Sequence, residues 1–114
     1  MADATAEFFA QLAGRGREPL VQDASGTVRI ELVQGKRTDR WLVSLDHGEI
    51  SVSRRNAAAD GVVRTTKELF DRLATGRANA FAATLRGEVD GEGDLGLILL
   101  FQRLLPGPPA KRKR

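Results

Sequence analysis

Residues able to do acid–base, nucleophilic or metal chemistry are scarce in this chain. His47 is the only histidine, and there is no tyrosine and no cysteine. A disulfide framework, a thiolate zinc site and a thiol nucleophile are thereby excluded. His47 falls in the turn-forming run Asp46-His47-Gly48, with neither the orienting partner nor the cleft that a general base requires. It reads as a solvated turn residue. Asp90, Glu92 and Asp94 alternate with glycines like the start of a calcium loop. That loop wants Gly at its sixth position and Glu at its twelfth, where this chain has Leu95 and Phe101. The three acids read better as a strand end, a turn, and a helix cap at Asp94. Ser25, Ser44, Ser51 and Ser53 have no nucleophile-elbow context, and no Gly-rich turn runs into Lys followed by Ser or Thr. The expectation is a protein that binds rather than catalyses, with no cofactor and no metal.

The elements that would position a binding surface follow from hydrophobic periodicity. Phe8, Phe9 and Leu12 give Thr5 to Leu12 the spacing of a short amphipathic helix. Gly14, Arg15, Gly16, Arg17 and Pro19 then read as a flexible connector. From Thr27 the period becomes two: Val28, Ile30 and Leu32, then Trp41, Val43 and Leu45, then Ile50 and Val52. Gln34 to Asp39 suits a hairpin loop, and Gly48 can take the positive φ of a tight turn. These are three antiparallel strands with one apolar face. Asn56 to Asp60 reads as a loop before a fourth short strand, Gly61 to Arg64.

Thr65 to Glu68 fits a capping box ahead of a helix that buries Leu69, Phe70 and Leu73 and stops at Gly76. Asn79 caps a second short helix holding Phe81 and Leu85, closed by Gly87. Glu88 to Glu92 is strand-like around Val89, and Asp94 opens a last helix reaching Leu105. Pro106, Gly107, Pro108 and Pro109 end it. Strands in a run followed by helices predict an α+β fold with helices on one face of the sheet.

The 114 residues suit one domain. The net charge of +3 is concentrated at the end: without Lys111, Arg112, Lys113 and Arg114 there are 14 basic residues against 15 acidic. A basic tail on a nearly neutral body is unlike the basic face of a nucleic-acid binder. No basic start leads into an apolar run, and no apolar stretch approaches the length of a membrane span, so a soluble cytoplasmic protein is expected.

The last helix carries the strongest signal. Eight of the twelve residues from Asp94 to Leu105 are large and apolar. At about 100° per residue they spread around roughly 260° of the helix. Resting on one sheet uses only about a third of a helix surface, so the excess faces another helix, a second subunit or an apolar ligand.

Three pieces, in this order, resemble the sterol carrier protein-2 family of small lipid-binding domains. They are Trp41 to Gly48, a strand entering an acidic turn; Glu68 to Leu73 leading to Gly76; and Gly87 to Asp94 followed by an apolar helix. The resemblance spans about Thr27 to Leu105. It implies a five-stranded, mostly antiparallel sheet with helices on one face, and an apolar tunnel between sheet and helices for a sterol, fatty acid or acyl chain. It carries no catalytic motif. The positions that match the apolar lining are Trp41, Val43, Phe70, Leu73, Phe81, Leu99 and Phe101. Two departures stand out: the small-basic-Leu ending of peroxisomal members is absent, and so is the proline often seen near Asn79.

The organisation expected is an N-terminal helix and connector over 1–24, a lipid-binding domain over 25–105, and a Pro-rich basic tail over 106–114. The function expected is non-enzymatic binding or transfer of an apolar small molecule. The alternative is an interaction or dimerisation module using the apolar C-terminal helix. An anionic membrane is a transient partner of the tail on this reading, and nucleic acid is not a partner.

Overall fold

A computed structural model of the chain describes residues 3–15 and 17–106. Helix α1 (Ala4–Arg15) leads through a 3₁₀ turn (Pro19–Val21) to strands β1 (Ser25–Gln34), β2 (Arg37–Asp46), β3 (Glu49–Ser53) and β4 (Gly61–Thr66). Helices α2 (Lys67–Ala74) and α3 (Ala80–Leu85), strand β5 (Asp90–Gly93) and helix α4 (Leu95–Gln102) complete it. The strand order is β3-β2-β1-β4-β5. All neighbours are antiparallel except β1 and β4, which run parallel. The fold class expected from the sequence is the one observed.

Period-two patterning puts Val28, Ile30 and Leu32 wholly inside, beside Val43, Leu45 and Ile50. The β1–β2 turn is shorter than the sequence suggested. Only Gly35 and Lys36 lie outside the strands, because Arg37, Thr38 and Asp39 continue the ladder opposite Gln34, Val33 and Leu32. Polar residues at a solvent-facing hairpin end keep their hydration while their backbone pairs. The β2–β3 turn has positive φ at His47 (52°) and Gly48 (98°), which matches the strand twist. From β3 the chain passes to β4 along the face opposite the helices, where Arg29 donates from Nη1 to the Ala57 carbonyl at 2.8 Å. On that outer face the buried Glu31 carboxylate takes Arg29 at 3.0 Å, Arg64 at 3.1 Å and Arg40 at 3.5 Å.

The helices cover the other face. Helix α1 is part of the core: Phe9 stacks on Phe70 at 5.5 Å, and Phe8 meets Phe70 and Phe101 edge-on. Residues 17–21 are also held by packing, with Val21 buried and Arg17 bridged to Glu49 at the free edge of β3. A polar cluster ties α1 to α2. Thr5 donates from Oγ1 to Asp71 at 2.6 Å, and the Lys67 ammonium lies between Asp71 at 3.1 Å and Asp3 at 3.2 Å.

The cap of α2 is Thr66, not the expected box from Thr65 to Glu68. Thr66 Oγ1 accepts from the Leu69 N–H at 3.1 Å, while Thr65 points inward and donates to the Glu88 carbonyl at 2.8 Å. Strand alternation decides between them: Thr65 follows Gly61 and Val63 on the buried side of β4. Gly76, at φ 77°, ends α2 in a Schellman motif, with Arg77 N–H bonded to Arg72 O and Gly76 N–H to Leu73 O. Strand β5 starts two residues later than expected, leaving Val89 as a buried lead-in, and α4 stops at Gln102 rather than Leu105. Among the described residues no helix is long and apolar enough to cross a membrane.

Candidate functional site

Asp94 and Asp60 fix where α4 begins. Asp94 Oδ1 accepts from the Leu97 N–H at 3.1 Å, and the Asp94 N–H donates to Asp60 O at 2.8 Å. Gly61 lets α4 come close: a Cβ there would lie 3.1 Å from Ile98 Cγ1. Ile98, Leu97 and Phe101 therefore point into the sheet and are buried. The row Leu95 and Leu99, four residues apart on the helix, is left outside.

Helix α3 is only six residues long and packs lightly. Its anchor is Ala83, fully buried, helped by a 3.3 Å hydrogen bond from Gln102 Nε2 to Thr84 Oγ1. Asn79 caps it through Oδ1 to the Ala82 N–H at 2.9 Å. Phe81 and Leu85, again four apart, face outward.

Between α3 and α4 lies an open groove of about 500 Å³. Ala78, Ala80, Phe81, Leu99, Leu100 and Leu105 make it apolar; Asn79, Gln102 and Arg103 are its polar members. Among the described residues Arg103 is the only formally charged one on this lining. A second apolar hollow of about 240 Å³ lies on the other side of Leu99, against Leu95, Ile98 and Val89. The space between sheet and helices is nearly shut, at about 10 Å³, and is bounded by Val63, Phe70, Leu73, Val89 and Phe101. Ala80, Gln102 and Leu105 line both this small void and the large groove. On the outer face a polar hollow of about 420 Å³ is lined by Arg29, Glu31, Arg64, Asp90 and Glu92, a mixture of charges with no apolar floor beyond Val62. Among the described residues no group of acidic or histidine side chains is placed to hold a metal ion.

The seven residues matched to an apolar lining are thus divided. Phe81 and Leu99 line the groove, while Phe70, Leu73 and Phe101 line the small void behind it. Trp41 and Val43 line neither. Val43 is a core residue under the helices, and Trp41 stacks on Phe9 with ring centroids 4.4 Å apart. Ala78, Ala80, Leu100, Gln102, Arg103 and Leu105 line the groove without having been singled out. Leu100 and Leu105 were visible as excess apolar positions of the last helix. The two alanines carry no signal of their own.

A family model for SCP-2 sterol transfer matches residues 7–106. The chain belongs to the SCP-2 sterol transfer family. Membership places it among lipid carriers rather than catalysts, and the match begins within α1, ahead of the segment whose motifs carry the resemblance. Palmitated SCP2L2 from Aedes aegypti is similar over 96% of each chain, with TM-score 0.74 and 14% identity. The sterol carrier protein domain 2 of Helicoverpa armigera is similar over 89% of this chain and 84% of its own, with TM-score 0.70 and 18% identity. The sec-alkylsulfatase Pisa1 from Pseudomonas sp. contains a similar segment, covering 94% of this chain but 17% of the enzyme, at TM-score 0.68 and 24% identity. These likenesses establish the SCP-2 fold. No curated protein sequence matches the chain.

Proposed function

We propose that this chain is a cytoplasmic carrier for a lipid-class molecule, held with its apolar part in the α3–α4 groove. The observation that carries the reading is the groove itself. It offers about 500 Å³ of apolar space, inside the range typical of small-molecule sites, in a protein of a sterol transfer family. Burying a methylene there contributes about 0.8 kcal/mol, so an acyl chain needs no strong polar anchor. The relatives support the class of cargo, since one solved Aedes aegypti structure is of palmitated SCP2L2 and another is an SCP-2 complex with palmitate.

The tunnel between sheet and helices is the deep end of the same site on this proposal. Ala80, Gln102 and Leu105 separate groove from void, and the lightly packed α3 is the element that moves aside to join them. Lys111, Arg112, Lys113 and Arg114 lie outside the described residues. We propose that they make transient contact with anionic membranes during loading or delivery.

Titration of delipidated protein with a fluorescent C16 fatty acid, followed by amide chemical shifts, tests the site. Saturable binding with shifts concentrated on residues 78–85 and 95–105 is expected. Absence of binding, or shifts confined to the outer face around Glu31, would overturn it.

A further inference from the structure

Five large apolar side chains are exposed among the described residues, and four of them, Phe81, Leu85, Leu95 and Leu99, stand on α3 and α4. Cargo accounts for some of them, since Phe81, Leu95 and Leu99 line apolar hollows. It does not account for Leu85, which is 71% exposed and lines none of the apolar cavities described above. Leu85 lies one turn beyond Phe81 on the same row of α3, so the apolar surface extends past the groove onto the outside of the molecule. An exposed apolar patch of this kind marks a surface that meets something.

The charges around it indicate what that is. Arg103 stands on the groove lining, Arg77 directly precedes Ala78 of the same lining, and Arg86 follows Leu85. Among the described residues the Arg77 side chain hydrogen-bonds only to the Thr75 hydroxyl, at 3.3 Å, and Arg86 pairs with Glu88 at 3.1 Å. Asp94, at the opposite end of α4, is engaged as that helix's cap. The sequence then runs from Leu105, on the groove lining, into nine residues of which the last four are basic. A second copy related by two-fold symmetry would bring the same patch, with the same arginines, against itself. An anionic lipid surface accepts the apolar rows and neutralises the cations together.

We infer that the α3–α4 face, with Phe81 and Leu85 foremost and Arg77 and Arg103 at its rim, docks onto anionic bilayers. This goes beyond cargo binding, and it turns the mouth of the groove toward the membrane.

Flotation of the full-length chain with vesicles of phosphatidylcholine alone, or with one-quarter phosphatidylglycerol, tests it at low ionic strength. The wild-type chain is expected to float with the anionic vesicles. Leu85→Asp and Arg77→Glu should each lower the bound fraction by about fivefold or more, and salt should weaken binding of the wild type. Neither residue lines the groove, so both variants should bind the fluorescent fatty acid in solution as the wild type does. Flotation of Leu85→Asp equal to wild type would assign membrane contact to the basic tail alone and overturn the inference. So would a wild-type chain that ignores anionic vesicles, or a dimer that Leu85→Asp dissociates. Flotation that persists when no fatty acid binds would sink the carrier reading instead and leave the docking face standing.

Discussion

Trp41 lies face to face with Phe9, the ring centroids 4.4 Å apart and the planes 14° from parallel, while the Arg54 guanidinium stands 4.1 Å over the same indole. This pair joins α1 to β2 and gives Trp41 a packing role. Trp41→Ala should therefore cost about 2–3 kcal/mol, below a fully buried aromatic because the indole is only half-buried. Fatty-acid binding by the folded fraction should be unchanged. Urea denaturation and titration of the same sample check both, and lost binding at unchanged stability would return Trp41 to the lining.

Leu99 is the residue to fill. Its side chain is 57% exposed and borders both apolar hollows, so Leu99→Trp adds bulk without crowding the core. Uptake of the fluorescent fatty acid should fall about tenfold or more with the thermal midpoint nearly unchanged, a loss of about 1.4 kcal/mol in binding. Wild-type uptake by a folded Leu99→Trp would put the cargo elsewhere.

Two adjacent threonines should behave differently. Thr66→Ala removes the cap of α2 and should cost about 1 kcal/mol. Thr65→Ala removes the donor to the Glu88 carbonyl from a buried position and should cost about 1–3 kcal/mol. Thr66→Asp, which keeps a cap, should restore stability, whereas Thr65→Asp should not. Chemical denaturation of the four variants decides it; rescue at position 65 would contradict the observed geometry.

The Asp3–Lys67–Asp71 cluster sets a pH signature on α1. The Ala6 N–H, together with Lys67, holds the Asp3 carboxyl below its ordinary value against a smaller opposing effect of burial. Burial works against the Lys67 ammonium, but hydrogen bonds and attraction from Asp71 and Asp3 outweigh it and raise its pKa. A lowered carboxyl pKa stabilises the fold above 3.8, and that stability disappears as pH falls through the folded value. A raised ammonium pKa stabilises below 10.5 and is lost as pH rises through the folded value. The cluster should hold through neutral pH and loosen at both extremes. Because Trp41 stacks on Phe9 of α1, indole fluorescence reports the loosening. Asp3→Asn should flatten part of the acid limb; an unchanged limb would remove Asp3 from it.

Deleting residues 111–114 should slow delivery of the fluorescent fatty acid to anionic vesicles at low salt. Delivery to neutral vesicles and affinity in solution should stay as they are, because four cations act only where lipid charge attracts them. Equal delivery by the truncated and full chains would leave the tail without that role.

Much of the fold was legible because burial on one face imposes a period. Val28, Ile30 and Leu32 announce β1, and Asn79 and Asp94 announce the starts of α3 and α4. Alternation fixes which face a residue occupies but not which neighbour it meets there. Trp41 shares its face with Ile30 as expected, yet it stacks on Phe9 of α1 rather than lining an apolar hollow. Whether Thr65 or Thr66 caps α2 depended on how far β4 runs, since strand continuation turns Thr65 inward. The groove was half visible. The apolar excess of α4 pointed to a surface beyond the sheet, but the groove also needs Ala78 and Ala80, which contribute by being small.

The two margins of the sheet also have a consequence for how this protein behaves at high concentration. An open strand edge invites a foreign strand, and proteins blunt such edges with charge, brevity or cover. On one side Arg17 bridges to Glu49 and the Glu18 N–H donates to the Gly48 carbonyl, so the start of β3 is already occupied from within the chain. On the other side β5 is four residues long and reads Asp-Gly-Glu-Gly, with two negative charges and little side chain to zip against a partner. Strand-by-strand growth toward fibrils is thus discouraged at both ends, and copies of this chain that do clump should adhere through their helices.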